Sequence, residues 1–160
     1  MTIQATPSEF ERFRQFLESA SGIRLDDSKT YLVNSRLRPI LSAHNKMSLS
    51  QLIDAVGRPG GEALKNQVIE AMTTNETLWF RDTHPFDLLK SKILPELWKN
   101  EPNKTLRFWS AACSTGQEPY SISMTVDEYQ RSHSAQSKAQ IKIVGTDISS
   151  DVLDQAKQAI

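Results

Sequence analysis

Residues 105–120 read TLRFWSAACSTGQEPY, and their order decides the fold of the second half of the chain. Thr105 to Ser110 has the length and apolar content of a buried strand. Ala111 to Gln117 is a loop of small residues with one glycine, and Glu118 to Arg131 has helical spacing. After a polar linker over 132–139, Gln140 to Thr146 (QIKIVGT) forms a second strand that ends at Asp147. Ser149 then stands where a last helix needs its N-cap. Strand, loop, helix, strand is a βαβ unit, so this half is expected to be α/β with a parallel sheet.

Upstream of that unit the pattern is helical only. Phe10, Phe13, Phe16, Leu17 and Ala20 recur at helical spacing behind Thr6-Pro7-Ser8, and Ser21-Gly22 ends the run. Asp26-Asp27-Ser28 opens a second helix with Val33, Leu37, Ile40 and Leu41 on one face and Pro39 inside it, where a kink is expected. Ser48 opens a third, with Leu49, Leu52, Ile53 and Val56 inward. Beyond the break over 57–61, Leu64, Val68, Ile69 and Met72 mark a fourth. A linker helix from Pro85 to Asn100 should turn Phe86, Leu89, Ile93 and Leu97 inward, and Glu101-Pro102-Asn103 should make a turn. The expected organisation is an all-α helical domain over 1–80, then a linker helix and an incomplete α/β domain over 81–160.

Composition narrows the function classes. The chain has 160 residues, 38% hydrophobic and 24% charged, the values of a folded protein. Its formal net charge is zero, so no global field draws it to nucleic acid or to a membrane surface. A single cysteine, Cys113, excludes an internal disulfide framework and suits a reducing compartment. With no signal-peptide run at Met1 to Pro7 and no long apolar stretch, the expected location is the cytoplasm.

Three places carry the candidate chemistry. The loop after the first strand lies where open α/β sheets bind ligands, outside the carboxyl ends of the strands. It lacks GxGxxG, which disfavours a pyrophosphate cradle and a nucleotide-binding Rossmann domain. Glu118 stands at the start of the following helix, where the helix dipole keeps a carboxylate ionised. It could receive a cationic ligand group, or it could only stabilise the helix. Asp147 could take the two hydroxyls of a ribose, or it could form an Asx-turn before Ser149. Together the two carboxylates favour an adenosine-bearing ligand with a cationic tail. The polar run Thr73 to Asp82 (TTNETLWFRD) adds Asn75, Thr77 and Arg81; Arg81 could bind a carboxylate bidentately or pair with Asp82 or Asp87. His44, His84 and His133 receive no role, and no metal site is expected.

MTTNETLWFRD (72–82), WSAACSTGQEPYSISM (109–124) and IVGTDIS (143–149), in this order and spacing, resemble the CheR-type chemoreceptor glutamate methyltransferases. The resemblance spans essentially the whole chain, with Trp79 standing where the family more often has phenylalanine. It implies a Rossmann-like, S-adenosylmethionine-binding methyltransferase domain behind a receptor-docking helical domain. It implies cofactor contacts at Asn75, Thr77, Arg81, Glu118 and Asp147, with Asp147 at the ribose. Arg81 and Glu118 fall near the methionine portion, and Arg81 also matters for the chemistry. The implied reaction methylates glutamate side chains on the cytoplasmic helices of chemoreceptors, leaving methyl esters and S-adenosylhomocysteine.

The resemblance also implies receptor contacts through the second helix, here Lys29, Arg36 and Arg38, with Pro39 at an often basic position. An ordinary solvated helix face is the alternative. Family members continue beyond the last helix seen here, so the chain by itself is expected to be inactive, to bind cofactor weakly and to self-associate through its α/β half. The competing function is a non-catalytic module that docks on a receptor or signalling partner.

Overall fold

A computed structural model of the chain describes residues 5–44, 47–100, 105–133 and 140–159. It divides into two compact units, Met1–Thr74 and Asn75–Ile160.

The first unit is helical. α1 (Pro7–Ser21) starts at a reciprocal capping box, in which Thr6 accepts from the Glu9 amide while Glu9 reaches back to Thr6. That pairing satisfies two of the donors a helix start leaves open, and its hydrogen bonds hold the Glu9 carboxyl below its usual pKa. A 3₁₀ turn (Asp27–Lys29), capped by Asp26, leads into α2 (Thr30–Ala43). α3 (Leu49–Val56) opens on a second capping box, Ser48 with Gln51, and α4 (Glu62–Met72) follows. α2 runs through Pro39 as one element. Pro39 and Ser35 are both exposed, so the carbonyl that loses its partner at Pro39 can face water.

The inward positions are those the periodicity selects. Phe10, Phe13 and Leu17 of α1 meet Val33, Leu37 and Leu41 of α2, Leu49, Leu52 and Val56 of α3, and Val68 and Met72 of α4 in one core. Phe13, Leu17 and Leu37 are fully buried. Each such side chain contributes about 1.5–3 kcal/mol relative to exposure. Phe16, Ile40, Ile53 and Leu64 pack on the margin of this core.

The second unit begins with the polar stretch 75–83. The expected single linker helix is instead α5 (His84–Leu88), a π-helical turn (Leu89–Ile93) and α6 (Leu94–Asn100). The wide turn inserts a residue and rotates everything after it. Leu89, Leu94 and Trp98 are therefore the buried positions, while Ile93 is 43% exposed. Leu97 is only partly buried. Pro95 supplies the reason: it cannot donate to the preceding turn, and its ring crowds the carbonyl four residues earlier. The turn expected at 101–103 lies outside the described residues.

β1 (Leu106–Ala111) and β2 (Ile141–Thr146) pair in parallel, from Leu106 opposite Ile141 to Ala111 opposite Thr146. α7 (Gln117–Ser132) connects them and α8 (Ser150–Gln158) follows, with Ser149 as its N-cap. Among the described residues the sheet has these two strands. Leu106, Val126 and Tyr129 join Leu89, Leu94 and Trp98 in the second core, with Phe108, Ile122 and Ile141 on its margin. The alternate strand residues lie open: Trp109 is 72% and Val144 44% exposed, opposite each other in the register. No helix among the described residues is long and apolar enough to cross a membrane.

Candidate functional site

Three chain segments of the second unit converge at the carboxyl ends of β1 and β2. The first is the loop 112–116. Ala112, Ser114 and Gly116 all take left-handed backbone (φ 58, 50 and 97). Side chains strain in that region. At Gly116 a side chain would also stand 3.1 Å from both the Ala156 methyl and the Tyr120 ring. Cys113 is anchored by its amide to the Thr146 carbonyl (2.9 Å), and its buried side chain lies against Gly145. The loop is thereby pinned across the strand ends.

Asp147 is the second element. Its Oδ2 accepts the Ser114 amide (2.8 Å) and its Oδ1 accepts the Ser149 amide (3.0 Å). The Asx-turn before α8 is therefore present, and the same carboxylate also ties down the loop after β1. Each oxygen keeps a further acceptor position. Glu118 stands in the first turn of α7, exposed, and its Oε1 accepts the Ser110 hydroxyl (2.6 Å). Its other oxygen has no partner among the described residues. α7 begins at Gly116 without a side-chain cap, so the positive end of its dipole is open. Cys113 lies within reach of both charges. Burial first, and then the carboxylates of Asp147 and Glu118, push its thiol above the usual pKa. Loop and carboxylates thus form one anionic rim around a cradle of small residues.

The third element is the segment 75–83. The Ser114 hydroxyl donates to the Asn75 carbonyl (2.6 Å), and the Phe80 amide donates to the Ser121 hydroxyl (3.0 Å). These tethers place Asn75 to Phe80 with the α/β unit, so the division of the chain falls at Thr74/Asn75. Thr77 is partly buried. Phe80, Asp82 and Thr83 take left-handed backbone (φ 50, 63 and 50) on either side of Arg81. Non-glycine residues held this way concentrate at functional sites. Arg81 is exposed and donates to the Glu76 carbonyl (3.2 Å). Neither Asp82 nor Asp87 pairs with it among the described residues. Ser110, Ser114 and Ser121 carry much of this arrangement, and only their small size marks them in the sequence.

The basic residues of the first unit divide. Arg36 donates to the carbonyls of Met72 and Thr73 (2.8 Å each) and to the Thr74 hydroxyl (3.1 Å). It thus closes the carboxyl end of α4, where a cation is favoured. Lys29 is the last residue of the 3₁₀ turn rather than part of α2. Arg38 is exposed and has no ion pair among the described residues. The described residues hold no group of three or more His, Cys, Asp or Glu suited to a metal.

Residues 8–73 match the all-alpha domain of CheR methyltransferases, and residues 75–160 match their SAM-binding domain. The chain is 51% identical over 149 residues to chemotaxis protein methyltransferase Cher2 of Pseudomonas putida, covering 93% of the chain and 54% of that protein. It is 48% identical over 155 residues to chemotaxis protein methyltransferase 1 of Pseudomonas aeruginosa, covering 97% and 56%. With the chemotaxis protein methyltransferase of Vibrio parahaemolyticus the identity is 44% over 158 residues, covering 99% and 56%. The chain spans about half the length of these relatives. S-adenosylmethionine is the cofactor of the matched second domain. A helical unit ending at Thr74 and a parallel α/β unit beginning at Asn75 coincide with the two matched domains, and the chain belongs to the CheR methyltransferase family.

Proposed function

We propose that the whole protein transfers a methyl group from S-adenosylmethionine to glutamate side chains on the cytoplasmic helices of chemoreceptors, giving methyl esters, and that it works in the cytoplasm. In this chain Asn75, Thr77, Arg81, Glu118 and Asp147 would form the cofactor site. The observation that carries this is the anionic rim: Asp147 holds the small-residue loop at Ser114, and Glu118 holds the strand end before that loop at Ser110. Its acceptor set fits the cofactor. The spare acceptor positions of Asp147 suit ribose hydroxyls, and the Glu118 oxygen without a partner among the described residues suits an amino group.

Bound there, S-adenosylmethionine supplies an electrophilic methyl group. A substrate glutamate, with an ordinary pKa of about 4.3, is already ionised at neutral pH and needs no base. The protein's part is alignment and exclusion of water. Arg81, without an acidic partner among the described residues, supplies forked donors at the methionine portion and the reacting end of the site. The test is a methyl-transfer assay with the whole protein and receptor cytoplasmic fragments. Base-labile methyl esters are expected. Intact cofactor binding without transfer would make the protein a docking module instead.

For receptor docking, Lys29, Arg36 and Arg38 would meet acidic receptor helices. Because Arg36 closes α4, charge reversal there would also disturb the fold, and Arg38 is the cleaner probe. Arg38→Glu is expected to slow receptor methylation at low salt, to leave cofactor affinity unchanged, and to matter less as salt screens exposed charges. Equal rates for both proteins at low salt would remove Arg38 from the contact.

The open sheet face with Trp109 and Val144 supports self-association of this chain when it is expressed by itself, since bare strands and apolar faces recruit other chains. Light scattering at micromolar concentration should show species larger than a monomer. A clean monomer would refute it.

A further inference from the structure

We propose that Ser121 is a positioning residue that acts through Arg81. The proposal rests on the assignment of Arg81 above. Ser121 lies one turn into α7 and is fully buried. Its hydroxyl donates to the Gln117 carbonyl (2.6 Å) and accepts the Phe80 amide (3.0 Å). A serine hydroxyl has one hydrogen. With that hydrogen committed to Gln117, the oxygen is left as an acceptor aimed at Phe80.

Phe80 is the residue before Arg81, and left-handed backbone at Phe80 on one side and at Asp82 and Thr83 on the other brackets Arg81. Backbone of this kind persists only where its surroundings over-determine it. Among the described residues, the bond from Phe80 to Ser121 is the one hydrogen bond that joins the backbone of 78–83 to α7. The aromatic contacts beside it, Trp79 with Tyr120 and Phe80 with Phe86, each set an exposed ring against a partly buried one. Among the described residues Arg81 itself is bonded only within its own segment, to Glu76. The direction in which its guanidinium leaves the backbone therefore depends on the Phe80 amide, and through it on the Ser121 hydroxyl.

Ser121→Ala deletes that oxygen, keeps the β-carbon and leaves the Phe80 N–H without a partner. The experiment compares four forms of the whole protein: wild type, Ser121→Ala, Arg81→Ala and the double variant. Misplacing a reacting group by about 1 Å lowers rates by roughly a hundredfold. Ser121→Ala is accordingly expected to lower the turnover of methyl transfer roughly ten- to a hundredfold. The double variant should be no slower than Arg81→Ala alone, because the two residues act as one unit. Independent, multiplying losses would overturn the proposal by showing that Ser121 serves the fold as a whole. Full activity of Ser121→Ala beside a crippled Arg81→Ala would overturn it while leaving Arg81 in place. An Arg81→Ala variant with wild-type turnover would instead overturn the assignment of Arg81, and the proposal with it.

A readout without turnover guards against a variant that fails to fold. In the cofactor-free wild type, the Phe80 amide should exchange with solvent more slowly than those of Trp79 and Arg81, and Ser121→Ala should abolish the difference. Exchange of the wild-type Phe80 amide at the rate of an unstructured peptide would overturn the tether directly.

Discussion

Asp147→Ala is expected to weaken S-adenosylmethionine binding by the whole protein roughly tenfold or more. Removing the partner of hydrogen bonds to a charged group costs about 1.5–3 kcal/mol, and each 1.4 kcal/mol is about tenfold in affinity. The loss should exceed that of the ligand contacts alone. The carboxylate also holds the amides of Ser114 and Ser149, and Ser114 sits in left-handed backbone that relaxes once released. Asp147→Asn separates the two effects. It keeps one acceptor oxygen for the fold, but it loses the charge and offers an amide where an acceptor is needed. Calorimetry on both variants would decide, and unchanged affinity of Asp147→Ala would take Asp147 out of the site.

Gly145→Ala should be nearly as damaging, for a steric reason. A β-carbon at Gly145 would lie 2.8 Å from the Cys113 sulfur and 3.3 Å from the Cys113 β-carbon. Cys113 is buried and cannot swing into solvent. The strain must therefore move the loop that carries Ser114. Overpacking of this kind destabilises by about 1–3 kcal/mol, and cofactor affinity should fall with it. Cys113→Ala removes the sulfur and with it the shortest contact. The double variant Cys113→Ala/Gly145→Ala is thus expected to regain most of the stability and of the binding, a coupling that distant sites do not show. Thermal melts of the three variants check it: additive losses would mean that Cys113 is not what excludes a side chain at Gly145.

Much of the fold is legible because its signals are local. The helix starts read at Thr6-Pro7-Ser8 and at Ser48 both form, each as a capping box closed within three residues, by Glu9 and by Gln51. The helical spacing of Phe10, Phe13 and Leu17, and of Val33, Leu37 and Leu41, selects residues that are buried in one core. The strand–loop–helix–strand order of 105–146 yields the parallel pair, with no strand end shifted by more than one residue. Glu118 and Asp147 are legible for the same reason, since the end of a strand and the start of a helix fix where their side chains begin.

What the amino-acid sequence determined by itself was therefore the elements, their order, most inward faces and the motifs that carry the family. Tertiary structure alone decided the rest. Pro95 sets the π turn locally, but packing with Leu106, Val126 and Tyr129 made Leu94 and Trp98 the buried positions in place of Ile93 and Leu97. Packing also turned Arg36 onto the end of α4, across 36 residues of chain. Likewise it joined Ser114 to Asn75 across 39 residues and Ser121 to Phe80 across 41. Caps and periodicities are interactions within a turn or two of helix, so residue order encodes them directly. A hydrogen bond between a serine and a backbone group forty residues away exists only after the cores have set which segments touch.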